Sequence, residues 1–531
     1  MLPITTAELL TILHRDSYGD RAWLAAVTLG AMGDSEAIPV LVMLTEKNHY
    51  AARALCLMGD EGIEALLAKV SIVAAVDGFL RFPHPRAAEL LDKGLLHQHF
   101  HGSDVAGRNQ QMVKQLGAFV FPYLLELIKK KPDKTTEICN VIRSLQQAVP
   151  MPWTAEVWEP IYRYLSQGDW VTLAEFGEQR AAAPLRDALK NALETKKKPD
   201  MLWLAAIGLG QLRDRSAIPL LVSALETKDL QLITSSIWAL GEIGEPDTLP
   251  VLQEMLRKWT RGERPFHSKS RETRVNARVE LALALTKLKA PEALELMLGC
   301  VGYYDPYDWG VSATPGFVLL GEEVIPPLHA ALKSKRPRVV IGAIHALASR
   351  NELIPLPLLM PLLLFRHSPT EWGWEEAVRS EAAAALGKTG RLEALEGLIG
   401  LLDDTRYDIS VSVRQALVTL ALNVPEAVGI LATQIAGQQS WTLDHTVLEG
   451  LAKVGDRALV SLREQLKASE ARTREAAALA LGWLNDQEAR GLLGELSLSD
   501  STPEVREAAA IAATYLRVVK PGFRPTSFSP Y

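Results

Sequence analysis

One recurring unit sets what this chain can fold into. It reads most cleanly from Thr234 to Leu256: an Ala/Leu-rich segment ending Leu240-Gly241-Glu242-Ile243-Gly244-Glu245, a turn, and a second apolar segment opening Pro246-Asp247-Thr248-Leu249-Pro250-Val251-Leu252. Aligning the position that ends the first segment gives Gly33, Gly59, Gly177, Arg213, Gly244, Lys289, Gly321, Arg350, Gly390, Asn423, Gly455 and Asn485. From Arg213 onward the step stays near 31 residues except for two expanded ones, 45 from Gly244 to Lys289 and 40 from Arg350 to Gly390. Apolar residues at i, i+3, i+4 and i+7 put one stripe of each segment on a helical face. A pair of such helices cannot bury both stripes alone, so the pairs must stack. The expectation is an all-α chain, an α-solenoid or superhelix of about 12–14 stacked helical hairpins. Such an array grows in one dimension, so 531 residues need not divide into the roughly three or four compact domains that length alone suggests.

Within each unit, Gly at the turn tolerates the left-handed conformation that ends a helix, and Pro in the next first turn costs no hydrogen bond. The small Ala positions, as in Ala476-Ala477-Ala478, let neighbouring helices approach. The pattern Leu-Gly-x-x-Gly-Asp-x-x-Ala-Ile-Pro-x-Leu at Leu29 to Leu41 resembles the HEAT-repeat family, in particular the short bacterial type named for phycobilisome lyases. The resemblance implies the solenoid and is almost silent on function, because such repeats serve scaffolds, chaperone subunits and lyases alike.

The expected organisation is N-terminal repeats over 1–67, degenerate helical repeats over 68–170, regular repeats over 171–517 and a flexible tail over 518–531. In the second stretch the pattern predicts helices at about 86–97, 103–130, 134–147 and 154–166, punctuated by Pro122, Pro132, Pro150, Pro152 and Pro160. The most apolar run, Leu353 to Phe365, carries three prolines and is too short to cross a bilayer, so it reads as a buried helix. Cys56, Cys139 and Cys300 lie far apart and read as small buried hydrophobes. Met1-Leu2-Pro3-Ile4-Thr5 lacks a secretory pattern, and cytoplasmic residence is the expectation.

Stacking translates sequence position into geography: loops inside a hairpin (A to B) share one edge, and turns between hairpins (B to A) share the other. The B-to-A turns are acidic, as in Gly33-Asp34-Ser35-Glu36, which suits helix N-termini. The central A-to-B loops are basic, including Lys129-Lys130-Lys131, Lys196-Lys197-Lys198 and Lys333 with Lys335, Arg336 and Arg338. From Arg257 to Arg278 eight cations face two acids, in a chain whose net charge is −6, which exceeds what capping requires. Three A-to-B loops, 257–274, 302–313 and 365–374, are elaborated and carry a disproportionate share of the aromatics. Their candidate partner-binding residues are Trp259, Arg261, Arg264, Phe266, Tyr303, Tyr304, Tyr307, Trp309, Arg366, Trp372 and Trp374. Aromatics beside arginine are the composition of interface anchors and of base-stacking platforms.

No catalytic grouping appears. Leu386-Gly387-Lys388-Thr389 lacks the upstream glycine of a phosphate loop, and Gly208-Leu209-Gly210 lacks the third glycine of a dinucleotide fingerprint. His97-Gln98-His99-Phe100-His101 lacks the acidic partners of a metal site. Arg21, Arg53, Arg274, Arg379, Arg414, Arg474 and Arg506 recur near helix starts and read as a packing ladder with neighbouring acids. The expected function is therefore a non-enzymatic scaffold or adaptor, without cofactor or metal, gripping a protein partner through its concave face and the aromatic, basic loop edge. Nucleic-acid binding along that edge is the first alternative, and a chaperone of a bilin chromophore, implied by the resemblance to bilin lyases, is the second.

Overall fold

The computed structural model describes residues 4–16, 19–48, 50–82, 84–91, 124, 155–166, 169–195, 202–261, 271–302, 313–366, 374–402, 404, 406–436 and 443–519. The regular elements among them are helical, apart from one isolated antiparallel bridge between Ala436 and Leu443. The chain divides into two units, one of Met1–Val157, Gly390–Leu395 and Leu417–Tyr531, the other of Trp158–Thr389 and Glu396–Ala416.

The first unit opens with α1 (Thr6–Arg15), α2 (Asp20–Met32), α3 (Ile38–Leu44), α4 (Tyr50–Leu57), α5 (Gly59–Lys69) and α6 (Ile72–Arg81). The second unit begins within α7 (Ala155–Leu165) and continues through α8 (Trp170–Glu175), α9 (Ala182–Thr195), α10 (Leu202–Gln211), α11 (Ile218–Ala224), α12 (Leu230–Ile243) and α13 (Leu249–Thr260). It runs on through α14 (Arg271–Lys287), α15 (Ala293–Cys300), α16 (Thr314–Leu319), α17 (Ile325–Ala331), α18 (Pro337–Ser349), α19 (Leu356–Leu359) and α20 (Trp374–Lys388). The division falls within α21 (Glu393–Ile399) and α22 (Tyr407–Ala421). The first unit resumes with α23 (Glu426–Thr433), α24 (His445–Val454), α25 (Asp456–Gln465), α26 (Ala471–Trp483), α27 (Arg490–Ser499) and α28 (Pro503–Val518). Of the helices expected between 68 and 170, α7 matches the last; 103–123, 125–130 and 134–147 lie outside the described residues.

The two glycines of Leu-Gly-x-x-Gly have separate physical causes. Gly244 sits at φ 72°, capping α12 in the left-handed region, where a side chain would be strained. Gly241, three residues earlier, lies where α12 meets α14: a Cβ there would come 2.9 Å from the Ala284 Cα. The same left-handed ending falls on non-glycine residues at Arg213, Lys289 and Asn485, with φ between 50° and 58°. Such a residue costs about 1 kcal/mol. Lys289→Gly is therefore expected to stabilise the chain by about 1 kcal/mol, seen as a higher thermal midpoint; an unchanged or lower one would refute the strain argument.

Three junctions differ from the expected pattern. Arg350 stays right-handed at φ −85°, and Asn351, at φ 57°, takes the bend one residue later, in keeping with asparagine's tolerance of that region. Gly321 has φ −71° because α16 already ends at Leu319 and the backbone is extended from Leu320. Asn423 needs no left-handed turn either, its N–H donating to the Leu420 carbonyl before Pro425 precedes α23.

The acidic B-to-A turns act as caps. The Asp34, Asp214 and Asp486 side chains accept from the N–H groups of Glu36, Ser216 and Glu488 at 3.1–3.2 Å, and Pro39 and Pro219 then occupy the first turn of α3 and α11. The arginine ladder is as expected at Arg379 and Arg474. Arg379 donates to the Leu363 carbonyl at 2.7 Å and to Asp404 at 2.6 Å, and Arg474 to the Ala468 carbonyl at 2.9 Å and Asp500 at 2.8 Å. Each arginine thus ties its own A-to-B loop to the acid of the following one. The Arg474 guanidinium holds the Asp500 carboxyl down to about 2. Arg53 pairs instead with Asp77 inside α6, Arg414 donates to the Ser410 hydroxyl and Arg506 to the Asp500 carbonyl, while the side chain of Arg274 is outside the described residues.

The run from Leu353 to Phe365 is not the buried helix expected. Pro355 precedes the single turn α19 and Pro361 ends it, leaving a 3-10 segment, Met360–Leu364. Ile354, Leu359, Leu362 and Leu363 are buried, whereas Leu353 and Leu364 are 66% and 72% exposed.

The two ends of the chain meet in the first unit. Helix α2 packs against α26 and α28, with Trp23 and Trp483 in tilted ring contact at 6.3 Å. Arg15 bonds Glu507 at 2.8 Å, Arg21 reaches Glu507 and Glu475 at 3.2 and 3.4 Å, and the Leu443 N–H donates to the buried Asp20 carboxylate.

Candidate interaction edge

The edge of the second unit follows from how its B helices lie. A Cβ on Gly210 would meet Ala239, one on Gly241 would meet Ala284 and one on Gly387 would meet Ala416. In each pair both residues fall near the C-terminal ends of their helices, so α10, α12 and α14, and likewise α20 and α22, run parallel and in register. His345 and Glu381, with Nε2 and Oε2 3.2 Å apart, register α18 on α20 in the same sense. Parallel stacking places the N-termini of these helices, and the A-to-B loops that feed them, along one edge.

Trp374 is the first residue of α20 rather than part of a loop, and is half-buried. The guanidinium of Arg338, second residue of α18, lies 4.5 Å from its ring centroid, a cation–π contact worth about 0.5–1 kcal/mol at a partly exposed site. Arg366 is exposed, with its Nη1 3.9 Å from Glu375. Trp259 is half-buried in the last turn of α13, and exposed Arg261 follows it as the C-cap. Arg264, Phe266, Tyr303, Tyr304, Tyr307, Trp309 and Trp372 lie outside the described residues.

The electrostatics of this edge differ from those of the ladder. Lys333, Lys335, Arg336 and Arg338 are exposed, and none makes an ion pair among the described residues. Arg336 and Arg338 also sit at the first turn of α18, where the helix dipole disfavours positive charge by about 0.3–1 kcal/mol and the N-cap side chain makes no capping bond. Neither the Arg338–Trp374 stack nor its setting could be read from residues 36 apart; the signal available was only the compositional one.

Sequence reasoning also passed over Glu280. It stands in the Ala/Leu run Val279-Glu280-Leu281-Ala282 of α14, 8% exposed, and its Oε2 has no hydrogen-bond partner among the described residues. Burial, reinforced by the nearby Glu242 carboxylate and opposed by Lys287, pushes its carboxyl up to about 7. Lys287 itself is engaged by Glu242 at 2.5 Å. Cys300 is buried and its thiol is pushed up to about 11, so it behaves as a small hydrophobe. Cys56 is partly buried, and Cys139 lies outside the described residues, as does the His97–His101 tract. Among the described residues there is no cluster of three potential metal ligands, and no helix is long and apolar enough to cross a membrane.

A family model described as HEAT repeats matches residues 186–264 and 430–514, and one described as PBS lyase HEAT-like repeat matches 378–404. Over those segments the chain consists of HEAT repeats. The matches fall in both units and agree with the helix pairs and double-glycine junctions above. No curated protein gives a significant match. Among solved structures, the chain is similar to an engineered protein from a structural-genomics programme, at 16% identity over 76% of this chain and 98% of that one, with a TM-score of 0.25. It is also similar to a chain from a study of a phosphorylation switch controlling the interaction between cadherin and beta-catenin, at 12% identity over 90% and 98%, with a TM-score of 0.23. At these scores neither likeness carries an argument about function.

Proposed function

We propose that this HEAT-repeat chain is a non-enzymatic scaffold that grips a protein partner through the A-to-B edge of its second unit. The reading rests on one contrast. Arginines of the packing ladder are pinned by carboxylates, as Arg379 is by Asp404 and Arg474 by Asp500, whereas Lys333, Lys335, Arg336 and Arg338 are exposed and unpaired among the described residues. Cations held at the unfavourable end of a helix beside a half-buried tryptophan are supported by a bound acidic and apolar surface better than by solvent. Trp259, Arg261, Arg366 and Trp374 extend the same edge, and Arg264, Phe266, Tyr303, Tyr304, Tyr307, Trp309 and Trp372 are proposed as further anchors on the elaborated loops.

The test is affinity purification from the native host, comparing the intact chain with Arg338→Ala/Trp374→Ala. Loss of an anchor pair is expected to weaken capture of the specific partner about 30-fold while circular dichroism stays unchanged. Equal capture by both chains would refute the edge. A nucleic acid recovered instead, with affinity falling steeply as salt rises, would favour the alternative reading of the same cations.

A further inference from the structure

The contact between the two chain ends is built like a contact between consecutive repeats. Elsewhere a B helix packs against the B helix of the next repeat, as α2 does on α4 and α26 on α28. Among the described helices, α28 is the last of them and α2 the first. Yet α2 packs on α28 and α26, with Leu24 beside the position where a Cβ on Gly482 would fall, 3.2 Å away, and with Trp23 and Trp483 each 4% exposed. The stack of B helices continues across a junction that no short loop enforces. A stacked array whose two end faces fit one another, and which is not closed on itself, joins head to tail with further copies.

We infer that this junction is exchangeable: the face of α1 and α2 fits the face of α26 and α28 of a second copy as well as that of its own chain. Closure within one chain is then what keeps copies apart, because it fills both faces at a high effective concentration. Charge sets the pairing. The first face supplies Arg15 and Arg21, the second Glu475 and Glu507, with N–O distances from 2.8 to 3.4 Å. Trp23, Leu24 and Trp483 provide the apolar part that opening would uncover.

Two full-length variants separate this from a merely structural contact. Arg15→Glu/Arg21→Glu sets four acids against each other within one chain, and Glu475→Arg/Glu507→Arg sets four cations. Each alone is expected to sediment at the mass of one chain, 58.3 kDa. Mixed in equal amounts they should sediment at about twice that mass, because each altered face then meets a complementary one in the other variant. A chain carrying all four substitutions should return to the one-chain mass, with the thermal midpoint of the unaltered protein. A mixture that stays at the one-chain mass while the four-substitution chain regains its midpoint would overturn the inference. A four-substitution chain that melts as low as the two separate variants would also overturn it, since charge would not then govern the pairing.

Discussion

Gly387→Val is expected to lower the stability of the second unit by about 3 kcal/mol, at the upper end of what overpacking a core costs. A Cβ at this position would lie 2.6 Å from the carbonyl oxygen and 2.7 Å from the Cα of Ala416. Both are backbone atoms of α22, so no side-chain rotation relieves the clash, and α20 and α22 must separate or tilt. The better helix propensity of the new residue recovers at most several tenths of a kcal/mol. Gly429 supplies the contrast: it too is inside a helix, but a Cβ there meets nothing within 4 Å. Gly429→Ala should therefore stabilise by about 0.5–1 kcal/mol. Denaturant unfolding followed by circular dichroism reads both. If the two variants shift the midpoint in the same direction, close helix approach is not what glycine provides at position 387.

That glycine also marks how far the sequence could be read. In Leu386-Gly387-Lys388-Thr389 and Gly208-Leu209-Gly210, the cause of Gly387 and Gly210 is a closely approaching neighbouring helix. Repeats, acidic caps and the arginine ladder were legible because each is decided within one or two repeats of sequence. The junction positions Arg213, Lys289 and Asn485 followed from spacing alone, and each takes the left-handed bend although none is glycine. Spacing failed by one residue at Arg350, where two adjacent positions compete and the asparagine bears the strain more easily. It failed in the run from Leu353 because hydrophobicity says nothing of which face is covered once proline breaks the helix. The stacking of Arg338 on Trp374 and the meeting of Trp23 with Trp483 join residues whose proximity depends on the packing of whole helices, and no local pattern encodes either.

Glu280 ties the stack to pH. Its carboxyl is raised to about 7 from an ordinary value near 4.5, so between those values the folded chain holds a proton that the unfolded chain releases. Stability therefore falls as pH rises through this window and levels off above it. Integrated across the whole shift, the loss is about 3 kcal/mol. Glu280→Gln keeps the shape and a buried polar amide but cannot ionise. Relative to the unaltered chain, the variant should gain about 2–3 kcal/mol between pH 5 and pH 8, whatever constant offset the amide introduces. Lys287 opposes the upward shift, and Glu242, which holds Lys287, supports it. Lys287→Met should then steepen the loss with pH in the unaltered background and leave the Glu280→Gln background nearly flat. Denaturation midpoints measured from pH 5 to pH 8 decide it: parallel curves for the glutamate and glutamine chains would mean that Glu280 ionises as an ordinary surface acid and that its burial is relieved by a partner or by water.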